Sequence, residues 1–462
     1  MTAVRRRRRH SERPGAATRA LATLAVLRQA RGQRDVPFLP RERIEMMRDA
    51  RVREILRHAA ETVPHFRELF AREGLDPAAF DRADALASLP PMTKAALQRD
   101  PRRFQSTSPI ATDALVVRTT GSTGAPLAVA HDRDSVLANS AFSLRERAVV
   151  EALARCRRDL RRAFIGYPEA TVFDVLRYAR SRAFLLGRGG TSLLSIEAPV
   201  EQLLADLERA RPDVLFGSGT YLEALFRMAH TAGIAIFRPR VIVYVWDAMS
   251  LEGRGFIRET YGVPVVSAYS AIESFKIGFL CELGRDFHLH EDLCHVRIVG
   301  PDGRPVPTGD RGEVVISNLV NRATVLLEYH LGDLARLRPP GCDCGRTSWL
   351  LSGLEGRVDE IVHLPDGSLV HPGSIAIRIR EVEGVVQYQV VQHARDRFEA
   401  RLATVDAPAF DRAAPIVAGR LRELLTECEV DATRMPVESG PGGKLLHVVA
   451  LPAPPGPGQA YV

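Results

Sequence analysis

The segment of this chain best suited to chemistry is a short loop rich in glycine and hydroxyl side chains. Residues 119–126 read Thr-Thr-Gly-Ser-Thr-Gly-Ala-Pro and follow the apolar run Ala114-Leu-Val-Val117. A strand that ends in such a loop presents backbone N–H groups and hydroxyls at its tip, and these donors suit a polyphosphate. The loop lacks the spacing of a Walker A motif, as does Gly440-Pro-Gly-Gly-Lys444. Taken alone, such a loop is more often a plain surface turn.

The elements that would position a ligand beside this loop follow from residue 213 onward. Apolar runs alternate there with amphipathic segments, which predicts a β-α-β-α-β unit with a parallel sheet. The predicted strands are Asp213–Phe216, Arg240–Trp246 and Pro264–Tyr269, and the predicted helices are Tyr221–Ala232 and Leu251–Tyr261. Ligands of such sheets bind beyond the carboxyl ends of the strands. Trp246-Asp247 and residues 269–273 are therefore expected to share one crevice.

The pattern of apolar and polar residues along the chain predicts an α/β fold with two domains. A large domain, residues 41–357, combines parallel α/β sheets with an antiparallel, barrel-like part, because residues 294–337 alternate in short runs separated by turns. Residues 358–451 are predicted to form a small, mobile α+β domain. Residues 1–40 are expected to be a basic, disordered tail, and the Pro- and Gly-rich residues 452–462 a disordered end.

Composition excludes several classes of function. The chain has 462 residues and a net charge of +7, but five of these charges are the run Arg5–Arg9, so a nucleic-acid-binding fold is not implied. That run is expected to be solvated and not to bind RNA or lipid. No apolar stretch approaches the ~18 residues of a membrane span. The chain is therefore expected to be cytoplasmic, with neither a nucleic-acid nor a membrane partner; its oligomeric state stays open.

Four further motifs follow the loop in order. They are Tyr269-Ser-Ala-Ile-Glu273, Tyr329-His-Leu-Gly-Asp333, Gly356-Arg-Val-Asp-Glu360 and Gly442-Gly-Lys444. In this order and spacing they resemble the adenylate-forming acid:thiol ligases, and specifically the phenylacetate-coenzyme A ligase branch. Leu89-Pro-Pro-Met-Thr-Lys94, Arg211-Pro-Asp-Val and Cys281-Glu282 with His288-Leu-His-Glu-Asp292 support that branch. The resemblance runs from about Ile55 to Leu446.

The resemblance implies a role for each matching residue. Glu273 would hold Mg²⁺, a hard ion that binds carboxylate oxygen. Asp333 would accept hydrogen bonds from the ribose hydroxyls of ATP, and Arg357 would lie close to the same nucleotide. Lys444 would reach the cleft during adenylation, and Asp359 would be the hinge of the small domain. The remaining nucleotide contacts would come from Thr119, Thr120, Gly121, Ser122, Thr123, Gly124 and Tyr269.

Lysine usage gives independent weight to Lys444. The chain has 63 basic residues but only three lysines, Lys94, Lys276 and Lys444. Because arginine is the default cation here, a lysine on a glycine turn is unlikely to serve solvation alone. The alternative to a role for Lys444 in the cleft is that it is an ordinary exposed lysine in a turn.

Several positions depart from the pattern of the family. Ala125 stands where a lysine is usual, which removes one phosphate contact, and Ile272 stands where a threonine is usual, which removes a hydroxyl from the magnesium site. Val245-Trp246-Asp247 replaces a Gly-Ala-Glu-like stretch, and His330 replaces an arginine.

Cysteine and histidine suggest a second, structural metal site. Cys281, His288, Cys342 and Cys344 supply three thiols and one imidazole, which is a ligand set of structural zinc. His290 competes with His288 for that role, and the alternative is ordinary reduced cysteines beside a surface histidine.

The function implied is ATP-dependent activation of a carboxylic acid to an acyl-adenylate, followed by thioester formation with coenzyme A. The aromatic residues expected near the crevice suggest an aryl or arylacetic-type acid: Tyr221, Trp246, Tyr269 and Phe275. In one alternative the acyl-adenylate passes to the phosphopantetheine thiol of an acyl carrier protein, or to an amine. In another the chain is a degenerate nucleotide-binding scaffold and not an enzyme.

Overall fold

A computed structural model describes residues 14–118, 127–156, 159–168, 170–184, 190–300, 302–355, 362–370, 372–379, 382–404, 406–435 and 448–451. The helices are α1 Ala16–Ala30, α2 Arg41–Thr62, α3 Pro64–Glu73, α4 Lys94–Arg99, α5 Arg133–Phe142, α6 Leu144–Leu153, α7 Thr171–Arg182, α8 Val200–Ala210, α9 Gly219–Thr231, α10 Leu251–Tyr261, α11 Pro372–Ile379 and α12 Ala407–Leu424.

The strands of the large unit are β1 Leu115–Arg118, β2 Ala128–His131, β3 Arg162–Gly166, β4 Thr191–Ser195, β5 Val214–Ser218, β6 Val241–Val245, β7 Val265–Tyr269, β8 Gly278–Leu280, β9 Phe287–Leu289, β10 Cys294–Val299, β11 Arg311–Asn318, β12 Tyr329–Arg338 and β13 Leu350–Glu355. Those nearer the carboxyl terminus are β14 Val362–His363, β15 Leu369–Val370, β16 Val385–Ala394, β17 Arg397–Thr404, β18 Glu429–Arg434 and β19 Val448–Val449.

The predicted β-α-β-α-β unit is confirmed. Strands β5, β6 and β7 are parallel neighbours, linked by α9 and α10, and β3 and β4 extend the sheet on the far side of β5. These strands read as continuous apolar runs because helices cover the sheet, and their side chains form one buried core. In register, Tyr244 pairs with Ser267. The residues that follow β6 and the end of β7 therefore lie at the same edge.

The antiparallel part is also confirmed and continues directly from this sheet. Strand β8 pairs antiparallel with β7, and the order then runs β9, β13, β12, β11, β10. The result is an eleven-stranded sheet among the described residues, parallel at one end and antiparallel at the other. A bulge lies in β12 between Leu334 and Arg336, beside Asp333, and bulges of this kind re-aim neighbouring side chains.

The carboxyl-terminal part forms its own small α+β unit, as the sequence predicts. Strands β18, β17, β16 and β19 make one sheet, and α11 and α12 pack on it around a separate apolar core. Among the described residues, this unit contacts the large one through Leu369 of β15, which packs in the core of the parallel sheet, and through polar side chains. Arg378 forms an ion pair with Glu197 at 3.2 Å, and the hydroxyls of Tyr167 and Ser374 are 2.8 Å apart.

Residues 14–40 differ from the expectation of a disordered tail. Residues 16–30 form α1, which packs against α5 and α7, and residues 36–38 form a short 3-10 turn. Val26 is buried in the main core, so the alternation of alanine and leucine in this segment is that of a helix with one packed face. Arg5–Arg9 lie outside the described residues. None of the described helices is both long and apolar enough to cross a bilayer.

Candidate active site

Two carboxylates, each held by a tyrosine hydroxyl, lie near the carboxyl end of β7. Tyr269 is the last residue of β7, and its hydroxyl donates to Asp333 Oδ2 at 2.8 Å. Burial raises the pKa of Tyr269 well above its usual value, and the neighbouring Asp333 carboxylate adds to that rise. Tyr269 and Asp333, sixty-four residues apart, are thus brought together as expected.

Glu273 is buried in the turn that follows β7. Its Oε1 accepts from the Tyr329 hydroxyl at 3.1 Å, and only 8% of the residue is exposed. Burial raises the pKa of the Glu273 carboxyl, and the charge of Asp333 adds to the rise, while Tyr329 and the cation of Lys94 oppose it. A carboxylate this enclosed has a reason to bind a cation. Glu273 and Asp333 are close enough to act on one another, so both belong to one crevice.

The backbone around Glu273 is fixed by side chains that the sequence analysis did not select. Asn318 Nδ2 donates to the Glu273 carbonyl at 2.8 Å, and His131 Nε2 lies 2.7 Å from the Ile272 carbonyl. The His131 ring also stacks on Phe275, with centroids 3.9 Å apart. Tyr329 was noted only as part of a motif. No periodicity reveals such partners, because Asn318 and His131 are 45 and 141 residues away from the carbonyls they contact.

The glycine-rich loop at residues 119–126 lies outside the described residues, but the hairpin that bears it does not. Strands β1 and β2 pair antiparallel, with Arg118 opposite Ala128, so the two ends of the loop are neighbours. His131, at the end of β2, contacts the turn that carries Glu273. The hairpin is thereby tied to the crevice. Arg357, Asp359 and Lys444 also lie outside the described residues.

Trp246 is a half-exposed aromatic at the same edge. It follows β6 in a left-handed backbone conformation, φ 78°, which is uncommon for a bulky residue and is typical of functional sites. Its indole lies on Gly166: a Cβ built at Gly166 would be 2.7 Å from Trp246 Cη2. The indole is 47% exposed. Asp247 does not face the crevice as a free carboxylate, because it accepts from Ser218 Oγ at 2.7 Å and from the backbone N–H of Gly219, at the start of α9.

The other predicted pocket residues differ in burial. Tyr221 is fully buried beneath the same edge, and its hydroxyl has no hydrogen-bond partner among the described residues. Burial raises the pKa of Tyr221 beyond its usual range. The Tyr221 hydroxyl is near enough to that of Tyr167 to add to the rise in the pKa of Tyr167, which burial mainly causes. A buried hydroxyl without a partner is costly unless a ligand or water satisfies it.

The four residues expected to bind zinc converge. One ligand atom from each of Cys281, His288, Cys342 and Cys344 lies within 4.8 Å of the others. The Cys281 and Cys342 sulfurs are 3.8 Å apart, and Cys344 Sγ is 3.3 Å from His288 Nε2. Two sulfurs on a tetrahedral zinc lie about 3.8 Å apart, given Zn–S bonds of about 2.3 Å. The donors therefore fit this ion.

The structure also distinguishes His288 from the competing His290. His288 Nδ1 shares a hydrogen bond with Ser348 Oγ at 3.2 Å, which orients Nε2 toward the sulfurs. Burial lowers the pKa of His288 to about 4, so its ring is neutral at pH 7 and can ligate. His290 Nε2 instead lies 3.2 Å from Glu146, inside a buried ion network with Lys276. The remaining cysteines pack in or against apolar cores; they are Cys156, Cys294 and Cys428.

Comparison with known proteins finds relatives that align over most of the chain. The phenylacetate-coenzyme A ligase of Thermus thermophilus is 26% identical over 376 residues, which are 78% of this chain and 80% of that enzyme. The phenylacetate-coenzyme A ligase of Escherichia coli is 24% identical over 381 residues, 79% of this chain and 83% of that enzyme. No protein-family model matches the chain.

Solved structures give the same fold. A 2-hydroxyisobutyryl-CoA ligase, in complex with 2-HIB-AMP and CoA in the thioesterification state, matches with a TM-score of 0.62. The identity is 19%, and the match covers 96% of this chain and 94% of that chain. The same enzyme in its postadenylation state with 2-HIB-AMP matches with a TM-score of 0.58, at 18% identity, over 96% of this chain and 94% of that chain.

Proposed function

We infer that this chain, a member of the adenylate-forming superfamily in the phenylacetate-coenzyme A ligase branch, is an AMP-forming acid:thiol ligase. The observation that carries this conclusion is the pair of tyrosine-held carboxylates, Glu273 and Asp333, in the crevice beyond β7. A scaffold that had lost its chemistry would have no need to keep a carboxylate as enclosed as Glu273. Curated relatives with this activity align over most of the chain.

In the first step, a carboxylate oxygen of the acid forms a bond to the α-phosphorus of ATP, and pyrophosphate leaves. The protein contributes mainly by positioning the groups in line and by neutralising charge. Asp333 accepts hydrogen bonds from the ribose hydroxyls, and Tyr269 orients it. Residues 119–124 and Arg357 contact the nucleotide, and Lys444 contacts its α-phosphate. Glu273 is suited to hold Mg²⁺, because Tyr329 fixes one carboxylate oxygen and the other can bind the ion. The bound ion would offset phosphate charge.

In the second step, the sulfur of coenzyme A attacks the acyl carbon, and AMP leaves. We propose that the small unit turns about Asp359 between the two steps, as mobile domains do when one site must serve two reactions. Such a turn would have to break the polar contacts that join the two units among the described residues, which include Arg378 with Glu197 and Tyr167 with Ser374. Incubation with a flat aromatic acid, ATP and coenzyme A should give AMP and the acyl thioester, and formation of ADP would contradict the assignment.

We propose that the acid is flat and aromatic and that it lies against the exposed face of Trp246. The benzene edge of the indole lies against Gly166, and 47% of the residue is exposed, which leaves ring surface for a ligand. The Tyr221 hydroxyl, which has no hydrogen-bond partner within the described part of the chain, lies beneath this edge of the sheet, where a polar atom of the acid can satisfy it. Phe275, which stacks on His131, contributes a second aromatic surface.

Gly166→Ala tests this pocket. The new methyl group would lie 2.7 Å from the indole, so the indole must move and its open face with it. We expect KM for the acid to rise about tenfold or more, with KM for ATP nearly unchanged, as measured by pyrophosphate release. Gly190→Ala is the matched control, because nothing lies within 4 Å of a Cβ there. Equal effects on both substrates, or on both variants, would remove Trp246 from the acid pocket.

Tyr329→Phe tests the anchoring of Glu273. It removes a hydrogen bond to a buried carboxylate, which is worth about 1.5–3 kcal/mol, or about 10- to 150-fold. We expect pyrophosphate release to slow by that factor and to need more Mg²⁺ for half-maximal rate. Tyr261→Phe also loses one hydrogen bond, from its hydroxyl to the Phe226 carbonyl, and should keep normal kinetics. A normal magnesium dependence in an active Tyr329→Phe enzyme would show that Glu273 serves another purpose.

We further propose one structural zinc per chain, held by Cys281, His288, Cys342 and Cys344. Because a structural metal contributes directly to folding, Cys344→Ser should lose most of the zinc and melt at a clearly lower temperature. Cys428→Ser, at a half-buried cysteine outside the cluster, should keep both. Elemental analysis that finds well under half an equivalent of zinc in the purified wild-type protein rejects the site.

A further inference from the structure

Lys276 lies in a buried ion pair behind the turn that carries Glu273. It is one of only three lysines among the 63 basic residues of the chain, and the proposed mechanism does not use it. Its ammonium is 2.6 Å from Glu146 Oε2, and 12% of its side chain is exposed. Glu146 belongs to α6, 130 residues earlier in the chain. A lysine is seldom this enclosed unless its charge is paired, so the pair fixes the position of the side chain.

The turn is anchored to several different elements. Before Glu273, His131 of β2 holds the Ile272 carbonyl, and Asn318 of β11 holds the carbonyl of Glu273 itself. After Glu273, the ammonium of Lys276 ties the turn to α6, which neither of the other two anchors contacts through its own strand. Glu273 is therefore held from both sides, and Lys276 is an anchor on the side that leads into β8.

The partner of Lys276 on α6 is itself fixed. The second oxygen of Glu146 lies 3.2 Å from His290 Nε2. The neighbouring Arg145 donates two hydrogen bonds, of 2.6 and 2.9 Å, to the Asp292 carboxylate, and both of these side chains are almost fully buried. Burial acts to raise the pKa of Glu146, but Lys276 and His290 lower it to about 2, so the carboxylate is charged at neutral pH. Helix α6 therefore offers Lys276 a charged partner at a fixed position.

Behind the turn there is space into which it could move. A cavity of about 30 Å³ is lined by Ser274, Phe275 and Lys276 from the turn and by residues of α5. That volume holds roughly one water molecule. On α5, the buried Asn139 Oδ1 has no hydrogen-bond partner among the described residues. The packing behind Glu273 is therefore incomplete. A turn that lost an anchor could shift into this space, and binding sites tolerate displacements of only about 0.5 Å.

We propose that Lys276 is a positioning residue for the magnesium site: its ion pair with Glu146 holds the turn so that the Glu273 carboxylate faces Mg·ATP. This role depends on the proposed function, in which Glu273 holds the ion. Groups that orient a metal ligand without touching the metal typically contribute about 10- to 100-fold to metal affinity or activity. If the pair contributed only to stability, its loss would lower the melting temperature and leave magnesium binding unchanged.

Calorimetric titration of ATP into the full chain tests this role without any acid substrate. The measured quantity is the ratio of the ATP dissociation constant in magnesium-free buffer to that in excess magnesium chloride. Lys276→Met and Glu146→Gln should each lower this ratio about tenfold, with the dissociation constant in magnesium-free buffer unchanged. Because both changes remove the same anchor, the double variant Lys276→Met/Glu146→Gln should lower it no further. The double variant leaves neither partner as an unpaired buried charge, so it serves where a single variant fails to fold.

Arg41→Met is the matched control, because it breaks an ion pair of the same 2.6 Å length, with Glu291, outside the turn. It should keep the wild-type ratio even where its melting temperature falls. A wild-type ratio in the folded double variant would overturn the role of Lys276 and leave the ligase assignment standing. If magnesium does not tighten ATP binding by the wild-type protein, then Glu273 holds no ion, and both the magnesium assignment and the role of Lys276 are wrong.

Discussion

Replacing Lys444 by alanine should abolish acid-dependent pyrophosphate release and leave the thioester-forming step nearly intact. Negative charge grows on the α-phosphate oxygens during carboxylate attack, and an ammonium held against them stabilises that transition state. Loss of one such contact costs roughly 10²–10³ in rate. If the small unit then turns about Asp359, Lys444 leaves the cleft and the second step proceeds without it. The measurement is each half-reaction alone, the second started from chemically supplied acyl-adenylate and coenzyme A.

Arg304→Ala is a suitable control, because it removes a cation from an exposed turn between β10 and β11 that has no assigned role in the site. It should leave both half-reactions unchanged. Near-normal pyrophosphate release by Lys444→Ala would remove the lysine from catalysis. Equal loss of both half-reactions would indicate misfolding or a small unit that does not turn.

Asp333→Ala should raise KM for ATP strongly while the protein stays folded. The carboxylate can accept two hydrogen bonds from the ribose, and each charge-assisted bond is worth about 1.5–3 kcal/mol. Loss of one alone gives about a tenfold rise or more, and loss of both gives at least about a hundredfold. KM for the acid should change far less, since we propose that Asp333 binds the nucleotide and not the acid.

Tyr269→Phe distinguishes the effect of the Asp333 carboxylate itself from the effect of the hydrogen bond that orients it. This variant removes the donor at 2.8 Å but keeps the carboxylate, so KM for ATP should rise less than in Asp333→Ala. Asp310→Ala, in a turn before β11, should behave as wild type. Unchanged ATP dependence in an active Asp333→Ala enzyme would place the nucleotide elsewhere.

The sequence predicted the parts of this site that follow from strand order. Parallel strands end at one edge, so the apolar runs that became β6 and β7 were enough to bring Trp246 and Tyr269 together. Motif order then identified Glu273 and Asp333. Three thiols and an imidazole limited the zinc ligands to a few choices.

The sequence could not decide contacts that depend on distant packing. His288 and His290 are two residues apart, so the alternation of side chains along a strand does not distinguish them. Their partners on other elements distinguish them, because Ser348 contacts His288 and Glu146 contacts His290. Asp247 lies at the predicted edge, but the sequence did not reveal that its carboxylate is bound by Ser218 and the start of α9. Residues 1–40 were expected to be a tail because their charge dominates, whereas the alanines and Val26 of α1 pack on α5 and α7.

Acid-dependent exchange of labelled pyrophosphate into ATP tests the central claim most directly, because it detects the first step whatever the acceptor. With the purified wild-type protein and a panel of carboxylic acids, we expect no exchange without acid and clear exchange with at least one flat aromatic acid. Saturable ATP binding without exchange for any acid in the panel would contradict the account and would favour a nucleotide-binding scaffold.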